Sequence, residues 1–193
     1  MDYDLIILAA GESTRFGENK LTYMLNGAPI IRRVVMESRL PDVRVIVVVG
    51  HEQEKIRGAL KGIDVDFVYN KDYKKGMSQS VIAGVRASNS TKGILILPGD
   101  MAFIKSKIIE QVISSHKNTG SKIVIPTYNG RGGHPILFDV SLKDELLHIK
   151  EETRGLKEII NRHENEIYKV ELGTPIVVHD VDVKEDLNFN FNE

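Results

Sequence analysis

The sequence predicts an α/β fold, a mostly parallel central sheet with helices on both faces, folded as one domain over residues 1–193. Three observations carry this. Short apolar runs rich in β-branched residues alternate with segments of helical period. The runs lack the polar alternation of a strand with one wet face, which marks strands covered on both sides. Strand and helix in alternation then imply right-handed crossovers between parallel strands.

Taken in order, the strand candidates are residues 4–10 (DLIILAA), 43–49 (VRVIVVV), 65–69 (VDFVY), 93–97 (GILIL), 121–126 (SKIVIP), 134–138 (HPILF) and 176–179 (IVVH). Between the first two, Pro29 suits a first helical turn, and Ile30, Ile31, Val34 and Val35 form one apolar stripe. A second helix follows Gly76 through VIAGVRAS, with Gly84 as a packing glycine. A third is FIKSKIIEQVISSH, striped by Ile104, Ile108, Ile109, Val112 and Ile113. Residues 141–166 are the most charged and least regular, the place for a small insertion or lid. No Gly/Ser or Pro-rich linker and no repeat breaks the pattern.

Composition removes several functional classes. The 41% hydrophobic and 27% charged content is that of an ordinary globular chain and excludes wholesale disorder. A net charge of -1 gives no long-range positive field, so no nucleic-acid partner is expected and any anion site is local. With 0 cysteines, disulfides and thiolate catalysis are excluded. No apolar run is long enough for a bilayer, and MDYDLIILAAGES lacks the basic region of a signal peptide, so a cytoplasmic location without membrane partner is expected.

In open α/β sheets ligands collect beyond the carboxyl ends of strands. The loop after the first strand runs Leu8, Ala9, Ala10, Gly11, Glu12, Ser13, Thr14, Arg15, Phe16, Gly17, Glu18, Asn19, Lys20. Its glycines free backbone N–H groups for phosphate oxygens, Ser13 adds a hydroxyl, and Arg15 and Lys20 supply positive charge. The loop is neither a Walker A sequence nor a GxGxxG fingerprint. Read otherwise, it is a glycine-rich turn with two solvated bases.

LAAGESTRFGENK resembles the LAAGxSxRMGxxK signature of the nucleotidyltransferases that attach CMP or GMP to molybdopterin, with Phe16 in place of Met. The resemblance implies a three-layer Rossmann-like nucleotidyltransferase fold, and nucleotide contacts from Leu8, Ala9, Ala10, Gly11, Ser13, Arg15 and Lys20. Gly76-Met77-Ser78-Gln79-Ser80 is similar to the family's GMxxSL element, implying that Gly76 and Ser78 lie near base or ribose. As a plain helix start, the serine only caps. Pro98-Gly99-Asp100-Met101 is similar to the family's GDMP turn, with Ala102 in place of proline. Asp100, ending a buried strand, suits Mg²⁺, which takes few protein oxygens and fills its shell with water and phosphate.

On the acceptor side, the segment from Asn129 to Phe138 (NGRGGHPILF) resembles the GRRGHPVLF element of the molybdopterin cytidylyltransferase branch. Arg131, Gly133 and His134 are then acceptor-binding; otherwise this is a hairpin turn with a solvated arginine. Glu152-Thr153-Arg154-Gly155-Leu156 falls where the family has GDxGA, so Thr153 replaces an aspartate. The segment 176–187 resembles DIDTPEDL, with Val183 and Lys184 in place of Thr-Pro. On a strand, Asp180 and Asp182 share a face; they complete the Mg²⁺ site with Asp100 or merely cap the closing helix. His51, His116, His148, His163 and His179 show no metal-type pairing and read as surface or strand-end residues.

The chemistry implied is in-line attack by an acceptor phosphate on the α-phosphorus with pyrophosphate leaving, the catalytic residues being Arg15, Lys20 and Asp100. Ala10, where the GMP-transferring branch has glycine, favours CTP over GTP. The expected partners are this triphosphate, a molybdopterin-type acceptor, and a molybdoenzyme or chaperone to receive the product. A sugar phosphate or cobinamide-type phosphate is the alternative acceptor, and a non-catalytic nucleotide-binding module the alternative class.

Overall fold

A computed structural model describes residues 1–13 and 16–188. The first strand, β1 (Tyr3–Ala9), ends in the glycine loop. A two-strand ribbon, β2 (Met24–Leu25) and β3 (Ala28–Pro29), leads into α1 (Ile30–Ser38). Then follow β4 (Val43–Val49), α2 (Gln53–Ala59), β5 (Asp66–Tyr69), α3 (Met77–Ala87), β6 (Gly93–Pro98) and α4 (Ser106–Thr119). The last part contains β7 (Ile123–Tyr128), β8 (Arg131–Gly132), β9 (Ile136–Asp139), α5 (Lys143–Leu147), α6 (Leu156–Arg162) and β10 (Ile167–Glu171).

The main sheet runs β10-β7-β9-β6-β1-β4-β5, with β8 paired to β7. Its β1, β4, β5 and β6 are mutually parallel, while β9 lies antiparallel between β6 and β7. β1 is central, with Leu5 level with Val45 on one side and Leu95 on the other. Alternate residues of a strand face opposite ways, so Leu5, Ile7 and Ala9 join one core with α1 and α4 while Ile6 joins the other with α3. The result is the three-layer, mostly parallel α/β architecture expected. The stripes on α1 and α4 are buried, and a Cβ on Gly84 would stand 2.5 Å from the Ile6 side chain. That glycine lets α3 lie close against β1.

Three local expectations are corrected. Residues 176–179 are not a strand: Pro175–Val178 forms a 3₁₀ helix whose Val177 is buried. Pro175 has no N–H for a ladder, and the edge beside β7 is already taken by β10. β10 itself gave no signal, because an edge strand with exposed Tyr168, Lys169 and Glu171 lacks an apolar run. Residues 141–166 are more than an insertion, since Leu142, Leu146, Ile149, Leu156 and Ile159 are buried beneath α5 and α6 in the third layer. Among the described residues no helix is long and apolar enough to cross a membrane.

Candidate active site

Parallel strands deliver their following loops to one edge of the sheet. There the loop after β1, the Gly99-Asp100 turn after β6 and the start of α3 enclose a cleft of about 430 Å³. Leu8, Ala10, Gly11, Ser13, Lys20, Gly76 and Asp100, all singled out from the sequence, line it. Ala9 does not; it is 2% exposed and belongs to the α1-side core. Arg15 lies outside the described residues. Gly99 brings the β6 turn against β1: its N–H donates to the Leu8 carbonyl at 2.9 Å, and a Cβ there would stand 2.7 Å from that oxygen.

Asn19 fixes the lysine, its Oδ1 accepting the Leu21 N–H at the start of the 3₁₀ turn Lys20–Thr22. The Lys20 ammonium, only 10% exposed, donates to Asp100 Oδ2 at 2.7 Å and Asp182 Oδ1 at 3.4 Å. Carboxylate oxygens of Asp100, Asp180 and Asp182 all lie within 4.8 Å of one another. The two late acids reach Asp100 from irregular backbone rather than from a strand. The Val181 N–H donates to the Asp100 carbonyl at 3.2 Å, and Asp186 Oδ2 accepts the N–H groups of Asp182 and Val183 at 2.7 and 2.9 Å. Those two N–H groups hold the Asp186 carboxyl below its ordinary range. Asp186, inside the closing 3₁₀ turn Lys184–Asn188, thus pins the backbone just before it.

Phe16 and Lys184, both departures from the motifs, come together. Phe16 packs edge-on against Tyr23 with centroids 5.3 Å apart, and the Lys184 ammonium stands 5.7 Å above the Phe16 ring and 5.0 Å above that of Tyr23. It also pairs with Glu18 at 2.9 Å. Cation–π contact therefore ties the segment bearing Asp180 and Asp182 to the loop bearing Lys20.

Ser78 does not cap α3. It sits inside the first turn, 3% exposed, and its N–H is taken by Glu151 Oε2 at 2.9 Å, a carboxylate reaching across from the loop before α6. Gly76, with φ of 110°, admits that carboxylate; a Cβ there would stand 2.4 Å from the Glu151 side chain. Negative charge on these N–H groups complements the helix dipole.

The Asn129-Gly130 pair turns β7 into β8, and Arg131 lies exposed on that hairpin, away from the residues lining the cleft. Gly133 is spoken for as a donor, giving its N–H to the Pro126 carbonyl at 2.8 Å, and a Cβ there would stand 2.0 Å from the Val177 carbonyl oxygen. The expectation that its backbone N–H meets an acceptor is corrected: it is a close-contact glycine. His134 donates its backbone N–H to that Val177 oxygen at 2.7 Å, and its ring hydrogen-bonds the Ile96 carbonyl on β6. Burial pushes this imidazole down, against the pull of Asp100 and Asp180, and leaves it neutral near pH 7.

Two further histidines are not surface residues of no consequence. His116, 7% exposed, links the Tyr3 hydroxyl at 3.0 Å to Asp139 at 3.1 Å across the far end of the sheet. His163 places one ring nitrogen 2.8 Å from Glu166 and the other 2.9 Å from Glu145, which raises its pKa.

Residues 5–167 match the family described as the MobA-like NTP transferase domain. The chain belongs to this family. MobA-like NTP transferases are nucleotidyltransferases, and a nucleoside triphosphate is the substrate this membership supports. The Rv0371c homologue of Mycobacterium sp. strain JC1 superposes with a TM-score of 0.83 at 20% identity, over 95% of this chain and 92% of that one. The Rv0371c manganese complex from Mycobacterium tuberculosis gives 0.73 at 20% identity, over 96% of each chain. Molybdopterin-guanine dinucleotide biosynthesis protein A of Archaeoglobus fulgidus gives 0.68 at 18%, over 95% of this chain and 94% of that one. At these identities the likeness is one of fold. Bifunctional protein GlmU of Synechococcus sp. (strain RCC307) is 29% identical over 126 residues, 63% of this chain but only 28% of that protein.

A divalent cation fits this MobA-like site on its own evidence. Asp100 Oδ1 is buried with no hydrogen-bond partner among the described residues, and three clustered carboxylates are a hard oxygen donor set of the kind Mg²⁺ and Mn²⁺ take. Tyr73, Lys74, Glu12, Met77 and Ser80 also line the cleft and were not singled out from sequence. Only the fold brings the 3₁₀ turn Tyr73–Lys75 to the loop after β1.

Proposed function

We propose that this protein transfers CMP from CTP to molybdopterin, releasing pyrophosphate. The observation that carries the reading is the meeting of Lys20 with Asp100 and Asp182 on the wall of the cleft that Gly11 and Ser13 also line. Asp100, Asp180 and Asp182 are the residues that would hold a divalent cation, which supplies charge stabilisation at the α-phosphate and leaving group. Lys20, released from its carboxylates, binds triphosphate oxygens as a point charge, with the N–H groups of residues 11–13 as further donors, and Arg15 is the second cation that the motif assigns to this task. An acceptor phosphate is already anionic and needs no general base. The residues therefore act by bringing two mutually repelling anions together in line, and a covalent enzyme intermediate is not part of the mechanism.

Support for the base and the acceptor is the LAAG loop and the GRGGHPILF segment. Ala10 lines the cleft but is 3% exposed, and a Cβ on Gly50 would meet its methyl at 2.9 Å. The methyl thus acts through the close packing of Gly50 as much as by direct contact with a base. A steric effect of this kind is worth about 1–3 kcal/mol, roughly 10- to 200-fold between bases. Arg131 remains the acceptor-side group of the proposal. Pyrophosphate release with CTP, GTP, ATP and UTP, each with molybdopterin or a sugar phosphate, tests it. Predominant turnover with CTP and molybdopterin is expected; turnover only with a sugar phosphate would refute the acceptor, and a preference for GTP the base.

A further inference from the structure

Two buried acceptor atoms at this site have nothing to accept. Among the described residues Asp100 Oδ1 has no partner, and neither does Nδ1 of His134. A neutral imidazole that spends its single N–H on the Ile96 carbonyl keeps one lone pair. A buried acceptor without a donor costs about 1–3 kcal/mol, so two of them together mark a place built around something that carries positive charge and O–H groups. A hydrated divalent cation carries both.

The backbone places His134 for that task. Its N–H is bonded to Val177, at the start of the segment that delivers Asp180 and Asp182, while its ring is bonded to Ile96 on β6, which delivers Asp100. Gly133, tight against the Val177 carbonyl, leaves this junction no slack. His134 thus bridges the two stretches of chain that supply the three carboxylates. It is not one of the groups within 4.8 Å of one another, so it is not itself offered as a ligand of the cation.

We propose that His134 is a positioning residue of the metal centre rather than an acceptor-binding residue, its lone pair holding a water carried by the cation. The role rests on the acidic centre of the preceding section. Neighbours of this outer kind are typically worth about 10- to 100-fold in metal affinity.

Manganese titration of the purified protein without nucleotide, followed by the electron paramagnetic resonance signal of free Mn²⁺, tests this. His134→Leu should bind Mn²⁺ about 10- to 100-fold more weakly than the wild type, and His134→Asn, which keeps an acceptor near the Nδ1 position, should recover most of the loss. In the unsubstituted protein the ¹⁵N resonance of the unprotonated ring nitrogen of His134 should move on addition of diamagnetic Mg²⁺, a readout that needs no variant to fold. Equal affinities of His134→Leu and wild type, failure of His134→Asn to recover, or an unmoved resonance while Mg²⁺ binds would each overturn the role of His134 and leave the acidic centre standing. A wild-type protein that binds neither ion would overturn the acidic centre and this role with it.

Discussion

At the scale of single residues, Lys20 and Asp100 carry most of the chemistry proposed, and they are coupled. Asp100→Asn should leave the fold intact and slow transfer by about 10²–10³-fold, the several kcal/mol a cation contributes to a charged transition state. The measurement is the pyrophosphate-release rate at saturating CTP; near wild-type turnover at limiting Mg²⁺ would exclude the assignment. Lys20→Ala should weaken CTP binding in calorimetry and lower turnover together, because the same ammonium meets the phosphates before and during transfer. Both residues were legible in the sequence, since each sits in a short motif at a strand end. Glu151 was not. Its partner Ser78 is remote in sequence, |i−j|=73, and nothing local distinguishes this glutamate from its neighbour Glu152. His134 was singled out from its motif, but the role proposed for it depends on which atoms the fold leaves unpartnered.

At the scale of elements, long apolar strands and striped helices were read correctly because burial on both faces writes itself into every residue of β1, β4 and β6. Elements held by one neighbour escaped: β10 has only β7 beside it, and the Pro175–Val178 turn is shaped by a glycine far upstream. That contact gives a sharp expectation. Gly133→Ala forces backbone apart at Val177 and should cost about 1–3 kcal/mol, as overpacking does, read as a lowered urea midpoint with unchanged slope. Replacement of Glu151 by Ala removes the acceptor at the start of α3 and should cost about 0.5–2 kcal/mol, the usual range for a lost cap. The α5–α6 layer also senses pH. His163 has a folded pKa raised above the ordinary 6.5 by Glu166 first and then Glu145. Its contribution is therefore complete below 6.5 and is lost as pH rises through the raised value. Amide exchange at α6 should quicken over that interval in the wild type and lose this dependence in His163→Gln.

At the scale of the whole molecule, the sheet is a rigid shelf and the site a convergence of five chain segments on its edge. The fold class was available from alternation alone, whereas the meeting of Asp180 and Asp182 with Asp100 was available only through motif resemblance, because no periodic pattern in residues 176–182 announces an irregular segment folding back over β6. Binding should stabilise the entire molecule through this junction. With the Mn²⁺–CTP complex, counted as one ligand, at about 100 times its dissociation constant, a gain of about 2.7 kcal/mol is expected. That corresponds to about 5–10 °C in thermal midpoint for a protein of this size. Asp180→Asn should remove most of the shift, and an unaltered shift in that variant would place the cation elsewhere.

The lateness of Asp180 and Asp182 in the chain has a consequence during synthesis. Lys20 and Asp100 leave the ribosome with the central strands, and at roughly 5–20 residues per second several seconds pass before the remaining acids emerge. Until then the nascent chain has a shelf but only one of the three carboxylates proposed to hold a cation. Nor does the lysine lie idle in the interval: paired with Asp100 alone, it keeps the half-built pocket neutral until the final stretch arrives and Lys184 settles over Phe16 and Tyr23 to fasten it. Translation itself thus sets the moment at which the protein becomes able to act.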